Sequence, residues 1–447
     1  MITSLLIRNF KSIEDSGKLE LKPLTMFTGP NSSGKSNILK SLAVLAQTVR
    51  LPVGIERSFD KSLLNGEFVR YPHPPTDYVI YKRDLDRSIS FEVRMKPNDL
   101  TESALVILLK RAGLSKYVSI SSIGYKYSYR PITKEASNCI FIEDDKIIEV
   151  ASVKTEAGQE ERVTYPDSLA KFRPYEAGST SFVLSKACFH FLHPRGVTDT
   201  ESLFAEALSR VADEVVTNLA DNLSRAYFIE ALRGGVELPV KAGATPSWVG
   251  KNGEYLVEIL ALCFSRREYS AKADRINEWA QKFWIGNMKA GWWGKDELGS
   301  DFEDPKLRSV LNLALASFGS KQVLSIITQL FWSEPGDLIM VEEPEISLHP
   351  ESQVLLQDLF ATAIADGKQV ICSTHSPFLI LALSKVIKDG KLSRDNVAVY
   401  HVEKGENGTK AKRLELDKHG FVTGWIPSYL KVEHELFDEW AESLEKE

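Results

Sequence analysis

Gly29-Pro30-Asn31-Ser32-Ser33-Gly34-Lys35-Ser36 decides how this chain is read. The stretch fits the spacing GxxxxGK[ST]. The apolar run Leu24–Phe27 precedes it, and Asn37–Val49 follows with Ile38, Leu42, Leu45 and Val49 on one helical face. A loop between a strand and a helix is the context in which this spacing cradles phosphate. Its glycines let backbone N–H groups turn inward, and the helix N-terminus adds positive dipole. Lys35 is expected to reach the β- and γ-phosphates and Ser36 to hold Mg2+, so ATP with Mg2+ is the expected ligand pair. A Gly-rich turn with no ligand is the alternative, and the strand and helix on either side argue against it.

Such a loop needs acidic groups at the end of a neighbouring strand. Leu338-Ile-Met-Val-Glu342-Glu343-Pro344 offers two. Glu342 would hold the Mg2+ shell through water, and Glu343 would orient and deprotonate the attacking water. Adjacent carboxylates directly after an apolar strand are costly unless a cation sits there; the alternative is a strand end that simply reaches solvent. His375 follows a second apolar run in Val370-Ile-Cys-Ser-Thr-His-Ser-Pro377. There it could contact a γ-phosphate, although a lone His is more often structural.

Working outward, the 447 residues carry 55 Lys+Arg and 61 Asp+Glu, a net charge of −6, with 43% hydrophobic and 26% charged residues. At roughly 100–200 residues per domain, two or three folding units are expected. This composition excludes a disordered, collagen-like or disulfide-stapled chain. Mild acidity argues against coating nucleic acid or an anionic membrane with the whole surface. Cys139, Cys188, Cys263 and Cys372 stand far apart with no CxxC pair, which suggests reduced thiols. No run approaches the roughly 20 apolar residues of a membrane span, and the N-terminus lacks a signal-peptide pattern, so the cytoplasm is expected, without a membrane partner.

The pattern predicts an α/β chain. Its core would be discontinuous, from residues 1–50 and 225–430. Residues 51–198 read as an antiparallel β lobe, with strands at Asp77–Tyr81, Ser88–Val93, Tyr117–Tyr129, Cys139–Val150 and Phe182–Phe191 and a helix near Glu102–Arg111. Residues 199–232 read as a helical stretch and 431–447 as a C-terminal helix. Helices are expected at Gly253–Phe264, Ala273–Phe283, Lys321–Leu330 and Glu351–Ile364. Buried strands are expected at Asp337–Val341 and Gln369–Cys372, and a hairpin around Gly405-Glu-Asn-Gly408.

The order phosphate loop, carboxylate strand, His strand resembles that of ABC-type ATPases, in the branch that holds SMC, RecF and OLD proteins. Gly29 to Ser36 followed by Asn37, the opening Asn9-Phe-Lys-Ser12, Glu342-Glu-Pro-Glu-Ile-Ser-Leu-His-Pro350 and Ser373-Thr-His-Ser-Pro377 carry the resemblance. It anchors residues 1–50 and about 310–380. Ala316-Ser317-Phe318-Gly319-Ser320-Lys-Gln322 sits where that superfamily keeps its signature loop. Ser317 and Gly319 match the Ser and second Gly of LSGGQ, whereas Phe318 and Ser320 depart from it. Ser317 as an ordinary helix N-cap is the competing reading. The segment Leu416–Pro427, Arg233 and Val249–Glu254 are similar to stretches of stand-alone prokaryotic members. Gln47 lies too early for the family's Q-loop glutamine.

The resemblance implies an ABC-ATPase head that forms a homodimer or larger homo-oligomer through composite ATP sites. Lys35, Ser36, Glu342, Glu343 and His375 of one subunit would face Ser317 and Gly319 of another. OLD-type members append a Toprim nuclease after the switch His. Fewer residues follow His375 than a domain of the commonest size, roughly 100–150, would need. The expected chain therefore works with a separate effector such as a nuclease, as the ATPase sensor of a prokaryotic anti-phage system. A RecF-like DNA-repair ATPase that binds DNA and an ATP-switched assembly scaffold are the alternatives.

Overall fold

Apolar runs without alternation form the centre of a parallel sheet. The computed structural model describes residues 1–49, 67–71, 79–84, 87, 89–98, 101–111, 118–129, 135–143, 146–154, 160–164 and 221–423. In chain order the strands are β1 (Ile2–Phe10), β2 (Ile13–Asp15), β3 (Leu19–Glu20), β4 (Leu24–Thr28), β5 (Ile89–Asn98), β6 (Thr101–Arg111), β7 (Val118–Tyr129), β8 (Glu135–Glu143), β9 (Lys146–Lys154) and β10 (Glu160–Thr164). They continue with β11 (Ala226–Ile229), β12 (Val240–Lys241), β13 (Asn287–Trp292), β14 (Glu297–Glu303), β15 (Val310–Asn312), β16 (Leu338–Glu342), β17 (Gln369–Thr374), β18 (Val397–Gly405) and β19 (Gly408–Leu414). The helices are α1 (Lys35–Val49), α2 (Leu256–Ser265), α3 (Ser270–Lys282), α4 (Phe318–Trp332), α5 (Pro350–Ala365), α6 (Pro377–Leu381) and α7 (Leu383–Lys388).

The chain divides into two units. The first takes Met1–Leu21, Asn37–Ala226 and Lys404–Lys410; the second takes Lys22–Ser36, Tyr227–Glu403 and Ala411–Glu447. The first is built on a nine-stranded sheet in the order β10-β9-β8-β7-β6-β5-β1-β2, with β3 also on β1. Within it, the Asn37 amide donates to Ser12 Oγ at 2.7 Å, and Ser12 Oγ lies 2.8 Å from Thr409 Oγ1. Gln47 Oε1 accepts from the N–H groups of Phe68 and Val69, so this buried side chain fastens a loop.

The second unit holds the sheet β11-β16-β17-β4-β18-β19. Strands β16, β17, β4 and β18 run parallel, with Glu342 beside Ser373, Ser373 beside Phe27 and Tyr400 beside Phe27. Every residue of β4, β16 and β17 is buried, which requires cover on both faces and explains why their sequences show no period of two. Ile339, Val341, Val370 and Cys372 pack in one core with Leu260 of α2, Ile276 of α3, Leu324 and Ile327 of α4, and Leu356 and Leu359 of α5. A smaller antiparallel sheet, β12-β14-β13 with β15 on β14, completes this unit. Among the described residues no helix is long and apolar enough to cross a membrane. Cys263 and Cys372 are buried free thiols.

Several sequence expectations need correction. Glu102–Arg111 is not a helix but strand β6, paired with β5 on one side and β7 on the other. Its apolar run Ala104–Leu109 has no decisive period, and two flanking strands needing a partner decide its state. Cys139–Val150 is not one strand but parts of the two strands β8 and β9. Tyr81–Arg83 is a 3-10 turn, and Ile80 makes only an isolated bridge to Phe10. The helical reading of 199–232 fails at Ala226–Ile229, which is strand β11. The remainder of that reading to residue 220, the strand Phe182–Phe191 and the helix in 431–447 lie outside the described residues.

Ile371 is fully buried in β17. Ile371→Ala should cost about 2–5 kcal/mol of stability and Ile371→Val about 0.5–1.5 kcal/mol, read from urea midpoints. An unchanged midpoint for Ile371→Ala would contradict a β17 covered on both faces.

Candidate active site

The candidate residues of the second unit meet at the ends of parallel strands. β4 delivers the chain into the loop 29–36. Gly29 has φ 147°, and a Cβ there would run into the Val402 carbonyl oxygen, so only glycine fits between β4 and β18. Gly34, at φ 106°, and Ser32, at φ 60°, complete the turn into α1. Pro30, Asn31 and Ser32 form an exposed rim, whereas Ser33 is buried.

Lys35 begins α1 and is 5% exposed. Its ammonium donates to the Gly29 carbonyl at 2.9 Å and the Pro30 carbonyl at 2.8 Å, with Ser33 Oγ at 3.5 Å. Burial pulls its pKa down to about 8, against the opposing pull of Glu343 and Glu345. The loop thus holds a cation in a place that disfavours charge, which is the electrostatic condition for attracting a polyanion.

The two carboxylates after β16 differ in setting. Glu342 is 5% exposed. Glu343 leaves the strand with φ 44° and has about a third of its side chain exposed, open to solvent. Its N–H donates to the Ser373 carbonyl at 2.9 Å, and its Oε1 lies 3.6 Å from His375 Nε2. The register that sets Glu342 beside Ser373 produces this pairing, because each chain then turns away from the sheet at the same level. Burial and the Lys35 charge lower the His375 pKa, while Glu343 and a backbone hydrogen bond with Gly29 oppose them. At neutral pH His375 is therefore chiefly a neutral imidazole.

Two residues to which the sequence reading assigned no role support this group. Glu345 is buried, and its Oε1 accepts from the His375 N–H at 2.5 Å. Burial raises its pKa. Arg233, 1% exposed, donates to the carbonyls of Glu342 and Glu343 at 2.8 and 3.1 Å. Glu345 stood inside the quoted motif, but only its burial reveals its task. Arg233 carried no signal beyond its resemblance, because the partners that tie it to Glu342 and Glu343 are backbone atoms distant in sequence.

Ser317 and Gly319 are placed elsewhere in the unit, at the start of α4. Ser317 Oγ accepts from the Ser320 N–H at 3.1 Å and so caps the helix. A Cβ on Gly319 would strike the carbonyl oxygen of Ser347, itself at φ 60°. Phe318 and Leu315 beside them are exposed. Asn37 falls in the first unit, on Ser12.

Ser36 and Glu342 offer a hydroxyl and a buried carboxylate, hard oxygen donors of the kind Mg2+ accepts together with nucleotide phosphates. Among the described residues no cluster of three His, Cys, Asp or Glu is gathered for a metal. A magnesium ion bound chiefly through phosphates needs no such cluster.

The Lys35 pKa carries a stability consequence. With the folded value near 8 and the unfolded value near 10.5, the unfolded chain binds more protons between those limits. Stability contributed by this group therefore rises as pH climbs from about 8 towards 10.5. Lys35→Met should flatten that rise, and the gap between variant and parent should be most favourable to the variant at pH 7. Thermal midpoints at pH 7, 8, 9 and 10 without nucleotide test this; parallel curves would refute it.

Three SMC head structures resemble the chain. One, bound to the C-winged helix domain of ScpA, is 11% identical with a TM-score of 0.40, covering 93% of this chain and 98% of that one. The head from Thermotoga maritima is 12% identical at 0.35, covering 93% and 99%. The head with an extended coiled coil, bound to the C-terminal domain of ScpA derived from Pyrococcus furiosus, is 10% identical at 0.38, covering 98% and 99%. No curated protein matches the chain. Residues 1–195 and 265–380, more than half of the sequence and including the phosphate loop, both strand-end carboxylates and His375, match the AAA ATPase domain family, and the chain belongs to that family.

Proposed function

We propose that the protein hydrolyses ATP, with Lys35, Ser36, Glu342, Glu343 and His375 as its working residues. The pairing of Glu343 with His375 at 3.6 Å, beside a buried Lys35 whose pKa both its burial and Glu343 influence, carries this reading. The backbone of residues 29–34 and the N-terminus of α1 cradle the phosphates. Lys35 neutralises charge on the β- and γ-phosphates. Ser36 and Glu342 would hold Mg2+, and a bound Mg2+ would neutralise charge developing on the phosphates. Glu343, the solvent-open carboxylate of the pair, takes a proton from the water as its oxygen bonds the γ-phosphorus. The bond from that phosphorus to the β–γ bridging oxygen breaks and ADP leaves with that oxygen, while neutral His375 lies beside the γ-phosphate.

In this reading the site is composite. Ser317 and the N–H groups that open α4 serve the γ-phosphate of a second copy, and the exposure of Phe318 and Leu315 supports a partner on this edge. ATP then joins two copies and hydrolysis releases them. The biological reading rests on the sequence resemblance: an ATPase that gates a separate effector, such as a nuclease, in prokaryotic anti-phage defence. A RecF-like repair role would instead show DNA-stimulated turnover.

Lys35→Ala should abolish nucleotide binding or hydrolysis. Glu343→Gln should still bind ATP, lose turnover by about 10²–10⁴-fold and accumulate as the ATP-linked dimer in light scattering, because an amide keeps the shape but takes no proton. Parental turnover in either variant would refute the assignment of that residue. Mixing Lys35→Ala with Ser317→Arg, each nearly inactive alone, should restore activity in subunits shown to exchange, since one interface then joins an intact loop to an intact cap. Full activity of Ser317→Arg by itself would remove Ser317 from the site.

A further inference from the structure

Arg233 is a fully buried guanidinium whose partners are backbone carbonyls from three separate stretches of chain. Nη1 donates to Glu230 O at 2.8 Å, Ala231 O at 3.3 Å and Glu342 O at 2.8 Å. Nη2 donates to Glu343 O at 3.1 Å, and Nε to Gln322 O at 3.2 Å. The Arg233 N–H in turn donates to Gln322 Oε1 at 3.3 Å. Burial draws its pKa down to about 10, so it stays charged at neutral pH.

A buried charge is expensive, and a core position that only needed filling would be served better by an apolar side chain of similar volume. What an apolar residue cannot do is hold several carbonyls at fixed angles, which the planar five-donor fork can. Two of the carbonyls held here, those of Glu342 and Glu343, belong to the strand end where Glu343 turns out of the sheet at φ 44°. The Glu343 peptide units are thereby fixed from both sides, by Ser373 on the N–H and Arg233 on the carbonyl. The third attachment is the second turn of α4, the helix that Ser317 caps. The fit there is close: Gly234 sits at φ 90°, and a Cβ on it would meet Lys321 and Gln322 at 2.9–3.1 Å.

We infer that Arg233 is a positioning residue for Glu343: it aims the carboxylate at the water and makes that aim depend on where α4 lies. A displacement of α4 by contact at Ser317 then reaches the base through one side chain. The inference rests on Glu343 acting as the base in the proposed hydrolysis.

The test is Arg233→Lys, whose compact ammonium cannot span the carbonyls of Gln322 and Glu343 together. Nucleotide affinity, measured with a fluorescent ATP analogue, should stay within about twofold, while kcat falls on the order of tenfold or more, the loss usual for residues that orient a catalytic group. In a Glu343→Gln background the same substitution should lower the residual turnover no further, because a residue acting through Glu343 has nothing left to act on. Where Arg233→Lys fails to fold, Arg233→Ala assayed with added guanidinium ion serves instead, with recovery of turnover expected. Parental kcat in Arg233→Lys, an equal fractional loss in both backgrounds, or no recovery in a folded Arg233→Ala would overturn the positioning role. Unchanged turnover in Glu343→Gln would overturn the underlying reading of Glu343 instead.

Discussion

The Lys35 ammonium inside its own loop is the interaction on which the site depends. A lysine this deeply placed is disfavoured as a cation, and its pKa falls accordingly. It keeps its charge near neutrality because the carbonyls of Gly29 and Pro30 and the carboxylates of Glu343 and Glu345 surround it. Each of those groups is supplied by a different constraint. The carbonyls come from a turn that only Gly29 can make against Val402. The carboxylates come from the turn that leaves β16, a strand that must run parallel to β17 and stop at the same level.

The sheet supplies that levelness. Strands β16, β17 and β4 pair in parallel register and are buried throughout, so they cannot slide without exposing apolar side chains or losing ladder hydrogen bonds. Their ends then present Glu343, His375 and Gly29 at one edge. Crevices outside the carboxyl ends of such strands are where open α/β sheets place their ligands. Around that edge the second unit spends buried polar groups: Glu345 fastens His375, Ser376 Oγ donates to Gln353 at 2.5 Å, and Arg233 fastens Glu342 and Glu343. Buried polar groups satisfied in this way rigidify a site at the expense of desolvation.

The α4 helix connects two parts of this arrangement. Its N-terminus carries Ser317 and Gly319, and Gly319 is close enough to Ser347 that no side chain could intervene. Its second turn carries Gln322, which meets Arg233. Glycine at 319 is thus explained by packing within one copy.

The sequence by itself determined the phosphate loop and the buried parallel strands, and with them the positions of Glu342, Glu343 and His375 at the strand ends. These are legible because they depend on local chemistry: glycines where the backbone must turn, a lysine at a helix start, and apolar runs where both faces are covered. It did not determine β6, because Ala104–Leu109 lacks a period and its flanking strands chose for it. Nor did it determine β11, whose four residues become a strand only beside β16. Most of all it did not show what Arg233 and Glu345 do. Their partners distant in sequence include backbone groups at positions 322, 342, 343 and 375, and backbone groups look alike at every residue. Only the folded chain decides which carbonyl or N–H stands within reach of a buried charge, since that depends on register and helix placement rather than on the identity of the residue that owns it.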